Sequence, residues 1–327
     1  MNTILKQSIT EKCAWLGREL SQQKDWIHVL SERALQHLDL ALQQLHQCGL
    51  HAPHFSRQDF LIEDLTVLSE FNHLADEIEN GYCFVVVRGL KTDQYDEQAL
   101  TDLYYGLGLY LGQPVTQNVR GDYIGLVQNV GDKNNKSTRV YETNAYLPYH
   151  TDLSDVVGLM CIRKAKTGGL SSLVSAATVY NKILQQYPEY LSYYYHPAFC
   201  DHLGDPKPTL TPIFSFYDHK LSCRYMRAYI ELGHERSNMP MSQVQKKALD
   251  IFDSFIQDPD LRLDMMLEPG DMQFCNNYNI MHSRTGFEDF DIPEQRRKLL
   301  RLWLKMPNAR RLSPEFPGRN GIEAQVA

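Results

Sequence analysis

The apolar pattern changes near residue 112, dividing the chain into a helical part and a mainly β part. From Ser31 to Gln47 the residues Leu35, Leu38, Leu42 and Leu45 share one helical stripe, with Ser31 placed to cap the start and Gly49 just past the end. A second stripe, Leu65, Leu68, Phe71, Leu74 and Ile78, stops at Gly81. It runs into Tyr82-Cys83-Phe84-Val85-Val86-Val87, whose β-branched and aromatic residues predict a buried strand. A third helix is predicted over Asp96 to Leu111. Beyond it, short apolar runs alternate with Gly, Pro, Asn and Asp: Ile124 to Val130, Val156 to Ile162, Ser171 to Val174, Thr209 to Phe216, Leu221 to Ile230, Met272 to Met281 and Leu299 to Leu304. Helices are expected at Thr178 to Gln186 and Ser242 to Gln257. With no linker, composition shift or repeat, the expectation is a single domain over 1–327, mainly β with flanking helices and a helical N-terminal extension at about 1–80.

Composition narrows the ligand class. A net charge of -7 and a pI of 5.9 give no basic patch for nucleic acid or an anionic membrane, so a small molecule is the expected partner. The seven cysteines are scattered without a C-x-x-C pair, which speaks against a disulfide scaffold or zinc ribbon. The N-terminus lacks a secretory apolar core, and no run approaches the roughly 18 residues of a membrane span. A cytoplasmic protein with reduced thiols is therefore expected, and a homo-oligomer is compatible with the sequence.

The chemistry gathers in two segments. Pro148-Tyr149-His150-Thr151-Asp152 presents an imidazole and a carboxylate two residues apart, which an extended backbone turns to one side. Far downstream, Glu268-Pro269-Gly270-Asp271-Met272-Gln273-Phe274 and then Asn277 to Arg284 supply His282 at the end of a strand-like run after a tight turn. Two histidines and one carboxylate form the facial triad suited to oxygen activation at Fe(II). His37-Leu38-Asp39 repeats the tripeptide, but inside a helix, where the two side chains diverge. A lone histidine is ordinarily a satisfied core or surface residue, so His150 and His282 gain weight only from their company.

That company includes Arg297-Lys298-Leu299-Leu300-Arg301-Leu302-Trp303-Leu304, read as a strand with Arg297, Leu299, Arg301 and Trp303 on one face. Two arginines in such surroundings need anionic partners, supplied either by a bound dicarboxylate or by structural Asp and Glu. Gly106-Leu107-Gly108-Leu109-Tyr110-Leu111-Gly112 only superficially suggests a nucleotide loop, because it follows a helical pattern and its spacing is wrong.

From about Gly81 to Leu304 these elements resemble, in order, the taurine dioxygenase and clavaminate synthase-like family of Fe(II)/2-oxoglutarate dioxygenases. They are Gly81–Leu90, Tyr149–Asp152, Thr167–Ser175, Pro269–Asp271, His282–Asp289 and Arg296–Leu304. The resemblance implies a double-stranded β-helix, or jelly-roll barrel, and an enzyme that oxidises a C–H bond of a small polar metabolite, most often by hydroxylation. Its implied cofactor is Fe(II), with 2-oxoglutarate and O2 as cosubstrates and succinate and CO2 as products. It implies that His150, Asp152 and His282 ligate iron, and that Arg297 and Ser171 hold the distal carboxylate of 2-oxoglutarate. It also implies substrate or cosubstrate contacts for Arg301, Gln117 and Asn118. Asp152 distinguishes the chain from halogenating relatives, which carry a small residue there. The alternative reading is a non-catalytic barrel that senses a metal or oxo-acid.

Overall fold

The computed structural model describes residues 4–130, 142–202, 206–316, 318 and 320–323. Two β-sheets face one another as a jelly roll. Their strands are β1 (Ile27–Val29), β2 (Phe84–Arg88), β3 (Gln113–Pro114), β4 (Ile124–Val127), β5 (Leu147–His150), β6 (Val156–Arg163), β7 (Ser171–Ser175), β8 (Arg262–Met265), β9 (Met272–Asn276), β10 (Ile280–Arg284) and β11 (Lys298–Lys305). The larger sheet runs β1-β2-β9-β6-β11-β3, with β4 also on β11, and the smaller runs β8-β7-β10-β5. All these pairings are antiparallel except β1 with β2.

Alternation along each strand builds three cores. Leu300, Leu302 and Leu304 of β11 face outward, joining Met160 of β6 and Phe274 of β9 beneath the helices α1 (Glu32–Gln47), α2 (Leu65–Asn80) and α3 (Glu97–Leu111). Leu299 and Trp303 face inward and meet Leu173 of β7 and Ile280 of β10 between the sheets. On the far side, Val174 and Met281 pack under α4 (Ala176–Gln186) and α6 (Gln243–Ile256). Side chains make the expected caps: Ser31 accepts from the Ala34 amide, Asp64 from Thr66 and Val67, and Ser242 closes a capping box with Gln245. The glycines of α3 serve packing. A Cβ on Gly106 would lie 2.6 Å from the Phe60 ring, and one on Gly108 would lie 2.4 Å from Leu302.

Four segments differ from the sequence expectation, the first being Thr209 to Phe216, which divides into the strands Thr209–Thr211 and Phe214–Tyr217 of two separate hairpin sheets. Leu221 to Ile230 is not one strand: a short strand ends at Cys223, and α5 (Arg227–Arg236) follows, with Arg227 paired to Glu231 one turn on at 2.8 Å. Met272 to Met281 splits between the two sheets at an asparagine corner, where the Asn276 side chain accepts from the Tyr278 amide at 2.9 Å. The N-terminal region contributes a strand as well as helices, since Ile27 pairs with Val86. Its first residues are tied to the smaller sheet's outer layer, with Thr178 donating to the Trp15 carbonyl at 2.6 Å and Tyr180 to that of Leu5 at 2.7 Å. His37 and Asp39 have separate partners, Asp64 and Tyr95.

Leu302 is fully buried where β11 meets α3. Leu302→Ala is expected to cost about 2–5 kcal/mol, read as a lowered denaturation midpoint, while Lys305→Ala on the exposed strand end leaves the midpoint nearly unchanged.

Candidate active site

Strands β5 and β10 lie side by side, and their register sets His150 directly opposite His282. The two rings are 4.3 Å apart between centroids. Asp152, two residues past His150, folds back toward both: its Oδ1 lies 3.9 Å from Nε2 of His150 and its Oδ2 lies 3.6 Å from Nε2 of His282. One ligand atom from each residue falls within 4.8 Å of the others, and all three residues are buried. A second group of this kind among the described residues, His46, His51 and Asp102, lies elsewhere, on α1, the loop after it and α3.

The surroundings leave these groups in forms that could bind a metal ion. Nδ1 of His150 is 2.8 Å from the Pro148 carbonyl, so that nitrogen carries the proton and Nε2 keeps its lone pair. Burial, reinforced by His150, pushes the pKa of His282 down to about 3, leaving its imidazole neutral. For Asp152, burial favours the neutral form, but Arg301, the two histidines and the Trp303 indole outweigh it and hold the pKa below the usual carboxylate range. The Trp303 Nε1–H donates to Oδ2 at 3.1 Å. The loop itself is clamped: the Asp152 amide donates to Asn277 Oδ1 at 3.0 Å, and Arg224 Nη1–H donates to the Asp152 carbonyl at 2.8 Å.

The triad opens into a cavity of about 610 Å³ that Arg297 and Ser171 also line. Arg297 is buried, and its Nη1 has no hydrogen-bond partner. Desolvation lowers its pKa to about 10. Ser171 donates to Gln273 Oε1 at 2.7 Å and stands opposite Arg284 across the β7–β10 pair. Arg284, two residues past His282, also lines the cavity; its Nη2 donates to the carbonyls of Thr143 and Ala145, while Nε and Nη1 lack partners. Sequence reasoning passed over Arg284 and Arg224. For Arg284 a signal existed, because the alternation that turns His282 inward turns it inward too.

The remaining candidates sort differently. Arg301 lines the cavity, but its Nε donates to Gln117 Oε1 at 2.7 Å, its Nη1 is 4.0 Å from Asp152 Oδ1, and its guanidinium lies 5.0 Å over the Trp303 ring. Gln117 is buried behind it, with its amide nitrogen donating to the carbonyls of Tyr123 and Arg301. Asn118 turns to its own loop, where it bonds Asp122 and the Arg120 amide. Neither amide lines the cavity.

Two imidazoles and one carboxylate held below its usual range on a cavity wall suit Fe(II), and an unpaired buried guanidinium lining the same cavity suits the far end of a dicarboxylate. Residues 44–303 match the taurine catabolism dioxygenase TauD, TfdA family. Among curated proteins, FR-33289 synthase of Streptomyces rubellomurinus is 31% identical, with 97% of this chain and 95% of that protein aligned. Taurine hydroxylase-like protein SAT17 of Stachybotrys chartarum is 27% identical, with 91% and 80% aligned. Among solved structures, asparagine oxygenase in complex with Fe(II), 3-hydroxyasparagine and succinate superposes with a TM-score of 0.68 at 16% identity, covering 85% of this chain and 93% of that one. The non-heme iron oxygenase OrfP in complex with Fe and alpha-ketoglutaric acid gives 0.63 at 14% identity, with coverage of 85% and 93%. Fold, triad and sequence together define an Fe(II)- and 2-oxoglutarate-dependent dioxygenase. The chain belongs to the TauD, TfdA family.

The two neighbouring amides should separate cleanly. Gln117→Leu strands the buried Nε of Arg301 and two carbonyls, and is expected to cost about 1–3 kcal/mol in chemical denaturation; Asn118→Ala, in a partly exposed turn, is expected to cost under about 1 kcal/mol.

Proposed function

We propose that His150, Asp152 and His282 hold the iron, that Arg297 receives the distal carboxylate of 2-oxoglutarate with help from Arg284 and Ser171, and that the enzyme hydroxylates a C–H bond of a small metabolite. The observation that carries this reading is the unpaired Nη1 of buried Arg297 in the cavity that the triad also lines. A sensor of metal or oxo-acid would have no use for ligands confined to one side of a cavity this large. When bound, iron with 2-oxoglutarate and O2 supplies the oxidising power, and succinate and CO2 are released.

The protein's share is binding, orientation and exclusion of water. Pro148 fixes the His150 tautomer, and Trp303 and Arg301 keep Asp152 ionised. Arg284 and Arg297 flank Phe287, with their guanidinium carbons 4.8 Å and 5.1 Å from its centroid, which holds two cations at one end of the cavity. Apolar side chains such as Val127, Leu147, Leu153 and Leu299 line the rest, so a bound substrate displaces water from the reacting C–H. The asparagine oxygenase and OrfP structures, solved with 3-hydroxyasparagine and 3-hydroxyarginine, support hydroxylation of an amino-acid-sized molecule.

Under anaerobic conditions, Fe(II) and 2-oxoglutarate should give the purified protein a visible charge-transfer band, absent in Asp152→Ala and His282→Ala. If both variants keep the band and the affinity of the parent, the ligand assignment fails.

Titrating the same band should show 2-oxoglutarate affinity falling steeply in Arg297→Ala, by the equivalent of about 3–5 kcal/mol, because the substitution removes one member of a buried charge pair. Arg296→Ala is the control: among the described residues the Arg296 side chain bonds the backbone carbonyls of Phe290 and Asp291, and its loss should leave the titration unchanged.

A further inference from the structure

The second histidine–aspartate group, His46, His51 and Asp102, has no part in the site described above, and none of the three lines its cavity. His46 is in the last turn of α1, His51 follows in the loop, and Asp102 stands in α3, in the helical layer outside the larger sheet. Asp102 is fully buried, and both of its oxygens are engaged. Oδ1 accepts from the Ala52 amide at 2.7 Å and from Gln98 Nε2 at 3.0 Å. Oδ2 is faced by two imidazole nitrogens, Nε2 of His46 at 3.0 Å and Nδ1 of His51 at 2.9 Å. As in the triad, one ligand atom from each residue falls within 4.8 Å of the others.

A contact between an exposed imidazole and a carboxylate contributes little by itself, which gives two rings weak reason to converge on one oxygen. A divalent cation gives them a strong one. Nitrogen and oxygen ligands about 2.0–2.2 Å from zinc at tetrahedral angles stand roughly 3.3 Å apart, so both nitrogen–oxygen distances need to lengthen by only a few tenths of an ångström. A neutral ring frees the facing nitrogen by moving its proton to the other one. The side chains of His46 and His51 are 36% and 48% exposed, which leaves an entry path and room for water as a fourth ligand. Gln98 and the Ala52 amide hold Oδ1 and thereby aim Oδ2, the supporting contact that a metal-binding carboxylate needs. The carbonyls that end α1 beside His46 favour positive charge as well. We infer that His46, His51 and Asp102 form a second metal site, outside the catalytic cavity. It takes a zinc-class divalent cation and fastens α1 and residues 48–64, which contain no helix or strand, to α3.

Zinc also suits the catalytic triad, so the full chain is tested with His150→Ala and His282→Ala in place. Stripped of metal, it is titrated with zinc in competition with a chromophoric chelator. One equivalent should bind saturably and raise the thermal midpoint, by mass action on the native state. Adding His46→Ala or His51→Ala should weaken that binding by more than about tenfold and remove the zinc-dependent shift. A purely structural role for the two histidines would instead lower the midpoint equally with and without zinc. Should the chain without its triad fail to fold, stoichiometry in the parent decides: two zinc equivalents per chain, falling to one when His46→Ala and His51→Ala are combined. The inference is overturned if the chain without its triad takes up no zinc saturably, or if His46→Ala and His51→Ala both leave zinc affinity within about twofold. It is overturned equally if the combined variant holds as many zinc equivalents as the parent.

Discussion

The pairing of His150 with His282 across β5 and β10 is the constraint from which the rest of the site follows. A one-residue slip in that register would turn one imidazole to the outer face and the triad would not exist. The register is held from both sides. β7 pairs with β10 along its whole length, and the asparagine corner that delivers the chain into β10 also holds the Asp152 loop through Asn277. The segment that supplies the second histidine thus positions the carboxylate, and the donors converge although more than a hundred residues of chain separate them.

Around that point the protein maintains charges that it does not itself neutralise. Arg297 and Arg284 are both depressed in pKa to about 10 by burial, and each keeps unpaired nitrogens. The same surroundings hold His282 neutral and Asp152 ionised. Folding energy from three apolar cores is used to keep these guanidinium groups dry, an arrangement that would suit an anion. Ligands that complete the site consequently add to the stability of the fold, by mass action on the native state.

The sequence showed what depends on local chemistry. Ser31, Asp64 and Ser242 cap their helices through bonds spanning three residues, and the alternating faces of β11 follow from the strand period alone. His150, Asp152, His282 and Arg297 could be grouped in advance because their order and company carried a family pattern, and the fold brings all four to one cavity. What remained hidden depends on distant partners. Gln117 and Asn118 are adjacent and chemically alike, yet one reaches a buried arginine 184 residues away while the other closes its own turn. An arginine in a sequence does not display which of its nitrogens will go unpaired, so Arg224 passed as one polar residue in an apolar run. That run was taken for strand throughout because Tyr225 to Ile230 is largely apolar, whereas from Arg227 it is helix, which packs so closely that a Cβ on Gly233 would lie 2.6 Å from the Phe199 backbone.

The position of β11 bears on how the protein comes to life on the ribosome. This strand is among the last elements of the chain, yet it lies inside the larger sheet, with β6 along one edge and β4 and β3 along the other. It also brings Arg301 and Trp303 to Asp152, and Arg297 immediately precedes it. A nascent chain that has emerged only to residue 296 has both histidines and the carboxylate but an open sheet, no indole donor for Asp152 and neither Arg297 nor Arg301. The cavity wall is therefore completed only once β11 has entered the sheet, and a chain that stops short of it lacks Arg297, Arg301 and Trp303.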